Sequence, residues 1–206
     1  MNNNATRSLF FALWALVFAL GSGSAAATLL SLQPSSQTAM PGNMVSLDLV
    51  IGGLDAGGPD SLGDFDINIG FDPGALSLVG FGLGPYLGDV GLGEAADFSL
   101  GLGGGTVNVA EVSLLFPFEL DALQPDSFTL ATFNFMVDVL PPGSSTSVMI
   151  DTVFALGDGF GLPLQLDGTA GAVIRNPGVD VPEPAVLGLV ALGLAGIRLS
   201  RRRTMR

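Results

Sequence analysis

The side chains able to carry chemistry in this 206-residue chain are carboxylates and little else. The sequence has no His and no Cys, its seven basic residues are all Arg, and its single Tyr is Tyr86. Thiol nucleophiles, disulfides, thiolate zinc sites, imidazole bases and lysine Schiff bases are therefore excluded. Asp55, Asp60, Asp64 and Asp66 crowd one glycine-containing turn region. Oxygen ligands from such a loop suit a hard cation, so Asp60, Asp64 and Asp66 are the candidate Ca2+ ligands, and no other cofactor is expected. Their spacing lacks the Asp-x-Asp-x-Asp-Gly order and terminal Glu of an EF-hand, and solvated turn carboxylates are the competing reading.

Two acids of different pKa also make a glycosidase pair, one as acid and the other as base or nucleophile. Alternation puts Asp64, Asp66 and Asp138 on a solvated face, where such tuning is small. No catalytic residue is assigned and no enzymatic activity is expected, a calcium-dependent hydrolase being the remaining enzymatic alternative. The glycines at 82 and 84 and at 101, 103, 104 and 105 lack the following helix that would make them a phosphate cradle. Gly157, Asp158 and Gly159 read as a hairpin turn.

Charge narrows the partners. Eighteen of the nineteen acids but only one of the seven arginines, Arg175, lie in residues 28–180, which gives that stretch a net charge of −17. Such a field repels nucleic acid and other polyanions, so no nucleic-acid partner is expected. It also predicts that salt or divalent cations stabilise the domain by relieving self-repulsion.

The two ends read as processing segments. Residues 1–27 combine a polar start containing Arg7, an apolar run at 9–20 and a small-residue stretch at 21–27. This is a secretory signal peptide layout, and Ala25 and Ala27 fit the small-x-small rule for signal peptidase, with cleavage after Ala27. At the other end Val181, Pro182, Glu183 and Pro184 precede an apolar run at 185–197 and the cluster Arg198, Arg201, Arg202, Arg203 and Arg206. As a helix that run covers only ~20 Å of a ~30 Å hydrocarbon core, which suits a transient stop better than a permanent anchor. The arginines stay on the cytoplasmic side by positive-inside bias, leaving the acidic domain outside.

Removing both ends leaves 153 residues, 28–180. A domain of that size buries roughly 70% of its unfolded surface and needs no disulfide or structural metal. Within it, apolar residues alternate with period two, the mark of strands buried on one face. Val45, Leu47, Leu49 and Ile51 share one side, as do Phe65, Ile67, Ile69 and Phe71, and Phe133, Phe135, Val137 and Val139. Further strands are expected at 75–81, 148–154 and 170–175. Asp72, Pro73 and Gly74 supply an acceptor, a fixed φ and a residue tolerant of positive φ, hence a turn. Around Ala110 and Glu111 the apolar parity switches from Val107 and Val109 to Val112, Leu114 and Phe116, which predicts a bulge or a strand changing sheets. Residues 80–105, with ten glycines and no sustained period, read as a long loop. No helical period appears, so the fold expected is all-β, two antiparallel sheets packed face to face. The single Trp, Trp14, lies in the leader, leaving Tyr86 and loop phenylalanines as sugar-stacking candidates.

Two resemblances follow from these residues. The order Pro-Glu-Pro, short apolar helix and arginine cluster over 181–206 resembles the PEP-CTERM sorting signal of Gram-negative bacteria. That resemblance implies recognition by a membrane exosortase, cleavage near Val181 to Pro184, transient residence in the inner membrane and delivery to the cell surface or an exopolysaccharide matrix. The runs PGNMVSLDLVI at 41–51, LGDFDINIGFDP at 62–73, ALSLV at 75–79 and LATFNFMV at 130–137 are similar to cohesin modules. The family implies a jelly-roll β-sandwich that binds a dockerin, within a superfamily that includes carbohydrate-binding modules, so the expected partners are a dockerin-like protein or a polysaccharide. The absence of Lys, the lone Arg175 and the glycine-rich segment depart from that pattern, and no contact residue is carried over.

Overall fold

The computed structural model describes residues 28–55 and 61–178. The leader with Ala25 and Ala27, Asp60 of the acidic turn, and Val181, Pro182, Glu183 and Pro184 with the arginine cluster lie outside the described residues. Among the described residues no helix is long and apolar enough to cross a membrane.

Among the described residues, twelve strands form two sheets. The first runs in the order β11 (Leu166–Ala170), β1 (Thr28–Gln33), β3 (Met44–Gly52), β9 (Ser127–Val137) and β5 (Leu76–Leu83). The second runs β2 (Ser36–Thr38), β12 (Ala172–Arg175), β10 (Ser145–Asp158), β4 (Leu62–Phe71), β8 (Thr106–Ser113) and β6 (Ala95–Asp97), with β7 (Leu102–Gly103) also on β8. The inward residues meet between them: Leu47, Leu49 and Ile51 of β3 and Phe133 and Phe135 of β9 face Phe65, Ile67 and Ile69 of β4 and Val107 and Val109 of β8, all buried. Each such side chain contributes about 1.5–3 kcal/mol through removal from water, which is why alternation dictates the sandwich. Phe71 extends this layer edge-on to Phe135, ring centroids 5.1 Å apart. The predicted turn at Asp72 forms, its carboxylate accepting from the Gly74 N–H at 2.9 Å.

Both sheets are mixed where antiparallel sheets were expected. β1 pairs with β11, and β2 with β12, in parallel. The period of two reports which face of a strand is buried and carries nothing about its neighbour's direction. Here the N-terminal segment contributes one strand to each sheet and runs alongside the last two strands.

Four local expectations are corrected. The 80–105 stretch is partly structured: β5 continues to Leu83, and β6, β7 and a 3-10 turn at Val90–Leu92 follow. Gly80 and Gly82 pair through their backbones with Asn134 and Thr132 of β9, so their missing side chains hide a strand from any apolar pattern. At Ala110 and Glu111 there is no bulge, since β8 keeps one unbroken register against β4 from Asp64 opposite Val112 to Gly70 opposite Thr106. β9 ends at Val137 and leaves Val139, expected to face inward, 67% exposed. Among the described residues one α-helix does form, α1 (Pro117–Leu123), opened by Pro117 and by the Glu119 carboxylate accepting from the Phe116 N–H at 2.8 Å. It buries only Leu120, and a helix this short shows no readable period.

Candidate functional site

The second sheet carries the residues singled out from the sequence. Because Phe65, Ile67 and Ile69 face the core, Asp64, Asp66 and Asn68 must stand on the outer face of β4. Asn108, directly opposite Asn68 on β8, donates from Nδ2 to Asp66 Oδ1 at 2.6 Å and to Asn68 Oδ1 at 3.1 Å. Its Oδ1 accepts from the Leu100 N–H at 3.1 Å, which ties the 97–100 turn to this polar row.

Asp64 is held differently. It lies opposite Gly157 of β10, and a Cβ on Gly157 would overlap its carboxylate. Burial first, and the nearby Asp158 second, push its pKa above the ordinary carboxylate value. The sequence placed Asp64 on a solvated face with little tuning; the bare backbone of Gly157 instead lets the carboxylate settle into partial burial. Asp158 itself closes the predicted turn, its Oδ1 accepting from the N–H groups of Phe160 and Leu162. Asp55 is exposed, and among the described residues no three His, Cys, Asp or Glu side chains gather closely enough to hold a metal ion.

The most unusual acid sits where the apolar parity breaks in the sequence. Glu111 continues the inward series Val107, Val109 on β8, between Phe65 of β4 and Asp97 of β6. It is 1% exposed, and neither carboxylate oxygen has a hydrogen-bond partner. Burial, and then the charge of Asp97, raise its pKa to about 7. Glu111 forms part of the wall of a pocket of about 310 Å³ opening at the edge of the sandwich, where the 83–90 segment leaves β5. Leu83, Pro85 and Val90 supply apolar wall, Gly84 and Gly88 bare backbone, and Asp89 a second carboxylate. Asp89 Oδ1 caps the 3-10 turn by accepting from the Gly91 and Leu92 N–H groups. The signal that finds Glu111 in the sequence is an acid on the buried parity of an otherwise apolar strand.

The aromatic surface also differs from expectation. Tyr86 packs against Phe128, centroids 4.9 Å apart, and is half-buried, so it offers no open stacking platform. Phe116 and Phe118, which flank the start of α1, are 66% and 69% exposed and stack on each other at 5.7 Å with planes 8° apart. Gly159 abuts Pro117, and the next residue, Phe160, is exposed as well.

Comparison with known proteins adds two findings. Residues 180–203 match the family model described as the PEP-CTERM protein-sorting motif. The fold is similar to cohesins of known structure. The sixth cohesin of Acetivibrio cellulolyticus scaffoldin B, solved in complex with a Cel5 dockerin mutant, is 16% identical, with 73% of this chain and 99% of that chain covered and a TM-score of 0.58. CaCohA2 of Clostridium acetobutylicum is 14% identical, covering 73% of this chain and 91% of that chain, with a TM-score of 0.58. The seventh ScaB type I cohesin of Pseudobacteroides cellulosolvens is 12% identical, covering 76% of this chain and 96% of that chain, with a TM-score of 0.57. No curated protein matches the chain in sequence. The described domain is thus a cohesin-like β-sandwich followed by a PEP-CTERM sorting motif.

Proposed function

We propose that this chain is an exported, non-catalytic binding module displayed at the surface, or in the exopolysaccharide matrix, of a Gram-negative bacterium. Signal peptidase removes residues 1–27, an exosortase acts at Val181, Pro182, Glu183 and Pro184 while Arg198, Arg201, Arg202 and Arg203 hold the tail at the inner membrane, and the 28–180 sandwich is delivered. The observation that carries this reading is the order of parts on one chain, a cohesin-like sandwich and then a PEP-CTERM motif at 180–203. Composition supports it, because the body has no His, Cys or Lys for catalysis and a net charge of −17.

The partner class favoured is a dockerin-like protein, since cohesins of similar fold are solved with dockerins. A carbohydrate-binding role is the second reading, supported by the exposed Phe116 and Phe118 stack, whose ring faces suit a pyranose ring.

Replacing Pro182, Glu183 and Pro184 with Ala in the host tests the sorting step. The variant is expected to stay with the membrane fraction while the unaltered chain reaches the surface. Equal surface display of both would overturn the proposal.

A further inference from the structure

Solvent does not reach the Glu111 carboxylate, and both of its oxygens lack a hydrogen-bond partner. Every charged group on the elements packed against it is an acid: Asp97 across the rung on β6, Asp89 and Glu94 on the segment leading into β6, and Asp64 and Asp66 on the outer face of β4. Tyr86, on the same segment, packs against Phe128. The domain's one base, Arg175, lies on β12, separated from β8 by β10 and β4. An ionised carboxylate there has neither water nor a cation, so ionisation requires that something move. We propose that residues 88–105 form a strap that lies closed along β8 while Glu111 holds its proton and is released from β8 when the proton leaves.

Three observations single out that segment. It is an edge, since β6 and β7 pair with β8 alone, whereas β4, the other neighbour of Glu111, is paired on both sides and buries Phe65, Ile67 and Ile69. Little holds it down: among the described side chains of 88–105, Ala95 is the one buried apolar group, while Val90, Leu92, Phe98 and Leu100 are exposed. A segment with so few buried apolar contacts opens at low free-energy cost. Both of its ends turn at glycines with positive φ, Gly88 at 117° and Gly105 at 92°, where the chain can absorb a change of direction.

Closed, the strap is tied to β8 and its continuation by the Phe98 N–H donating to the Ala110 carbonyl at 2.9 Å, the Leu114 N–H to the Glu94 carbonyl at 2.7 Å and the Leu100 N–H to Asn108 Oδ1 at 3.1 Å. Opening breaks these bonds, bares the edge of β8 and frees Asn108 beside Asp66 and Asn68, so a proton on the inner face is coupled to the polar row on the outer one. The closed form holds the proton up to about pH 7, and the open form, with its carboxylate solvated, only up to the ordinary 4.5. Opening therefore grows between those two values and levels off above pH 7. None of this depends on whether the partner is dockerin-like.

The test is amide hydrogen–deuterium exchange of the full-length chain at pH 5 and pH 8, expressed as protection relative to an unstructured chain at the same pH. Protection of the Phe98, Leu100 and Leu114 amides should fall at least about tenfold from pH 5 to pH 8. At pH 8 the best-protected amides of β9 should still exceed them by at least about a hundredfold, which marks local release instead of global unfolding. In Glu111→Gln, and in Glu111→Leu as a second variant that cannot titrate, strap protection should change by less than about threefold between the two pH values, thermal melts on the same samples reporting that they are folded. Strap protection that is unchanged with pH in the unaltered chain, that matches β9 at pH 8, or that falls equally in a folded variant would each overturn the proposal.

Discussion

Glu111 of β8 and Asp97 of β6 are directly opposed cross-strand partners, so two carboxylates share one rung at the edge of the second sheet, the first buried and the second exposed. Burial penalises the charge of the inner one, and the like charge across the rung adds to it, which is why the proton stays on Glu111 up to about pH 7. A folded-state pKa above the ordinary value of 4.5 means that the folded protein binds the proton more tightly than the unfolded one. Stability from this group is therefore full below about pH 4.5 and is lost as pH rises through 7. Melting curves of the unaltered chain and Glu111→Gln should diverge with rising pH, the variant being more stable by about 1–3 kcal/mol at pH 8. Asp97→Asn removes the second cause of the raised Glu111 pKa, so in that background the gap between the Glu111 chain and its Glu111→Gln variant at pH 8 should be smaller. A gap of constant size from pH 4.5 to 8 would show that folding does not raise the Glu111 pKa.

Gly157 is required by the carboxylate that lies across it. Gly157→Ala places a methyl group where Asp64 sits and should destabilise the domain by about 1–3 kcal/mol. Asp64→Ala in the same chain removes the clash and should recover much of the loss, a coupling that urea melts of the four species measure directly.

The two aromatic pairs predict opposite behaviour. Phe133 is fully buried against Phe81 and Phe135, so Phe133→Ala should cost about 3–5 kcal/mol. Phe118→Ala removes an exposed ring and should change stability by no more than about 0.5 kcal/mol. If the stack binds sugar, a glycan array read with the folded F118A chain loses its signal while its melting temperature stays put.

Charge density predicts a response to salt. With eighteen acids against Arg175 in residues 28–180, screening should raise the melting temperature as ionic strength increases and the Debye length falls from ~30 Å at 0.01 M to ~10 Å at 0.1 M. CaCl2 exceeding NaCl at matched ionic strength, and losing that excess in Asp64→Ala, would mark a specific ion at the acidic turn; identical effects would mark screening alone.

The sandwich was legible because Phe65, Ile67 and Ile69, or Leu47, Leu49 and Ile51, each bury one face of a strand and leave a period of two behind. What escaped was encoded elsewhere. Gly80 and Gly82 pair through backbone and erase the period, and the parallel joins of β1 with β11 and β2 with β12 depend on contacts far apart in the chain. Glu111 escaped for the reason that makes it interesting: an acid on the buried parity, next to the exposed apolar residues Val112, Leu114 and Phe116, looks like a change of register. Asp64 and Asp66 read as one cluster because they are close in sequence, yet Gly157 and Asn108 engage them separately.

A sandwich delivered outward and parted from its tail leaves a signature in its mass. Intact mass of the surface form, from the host and from the same host lacking its exosortase, tests it most directly. The expected chain begins near Thr28 and ends near Val181 to Pro184 in the first strain and keeps its tail in the second. The last 26 residues present in both would contradict it.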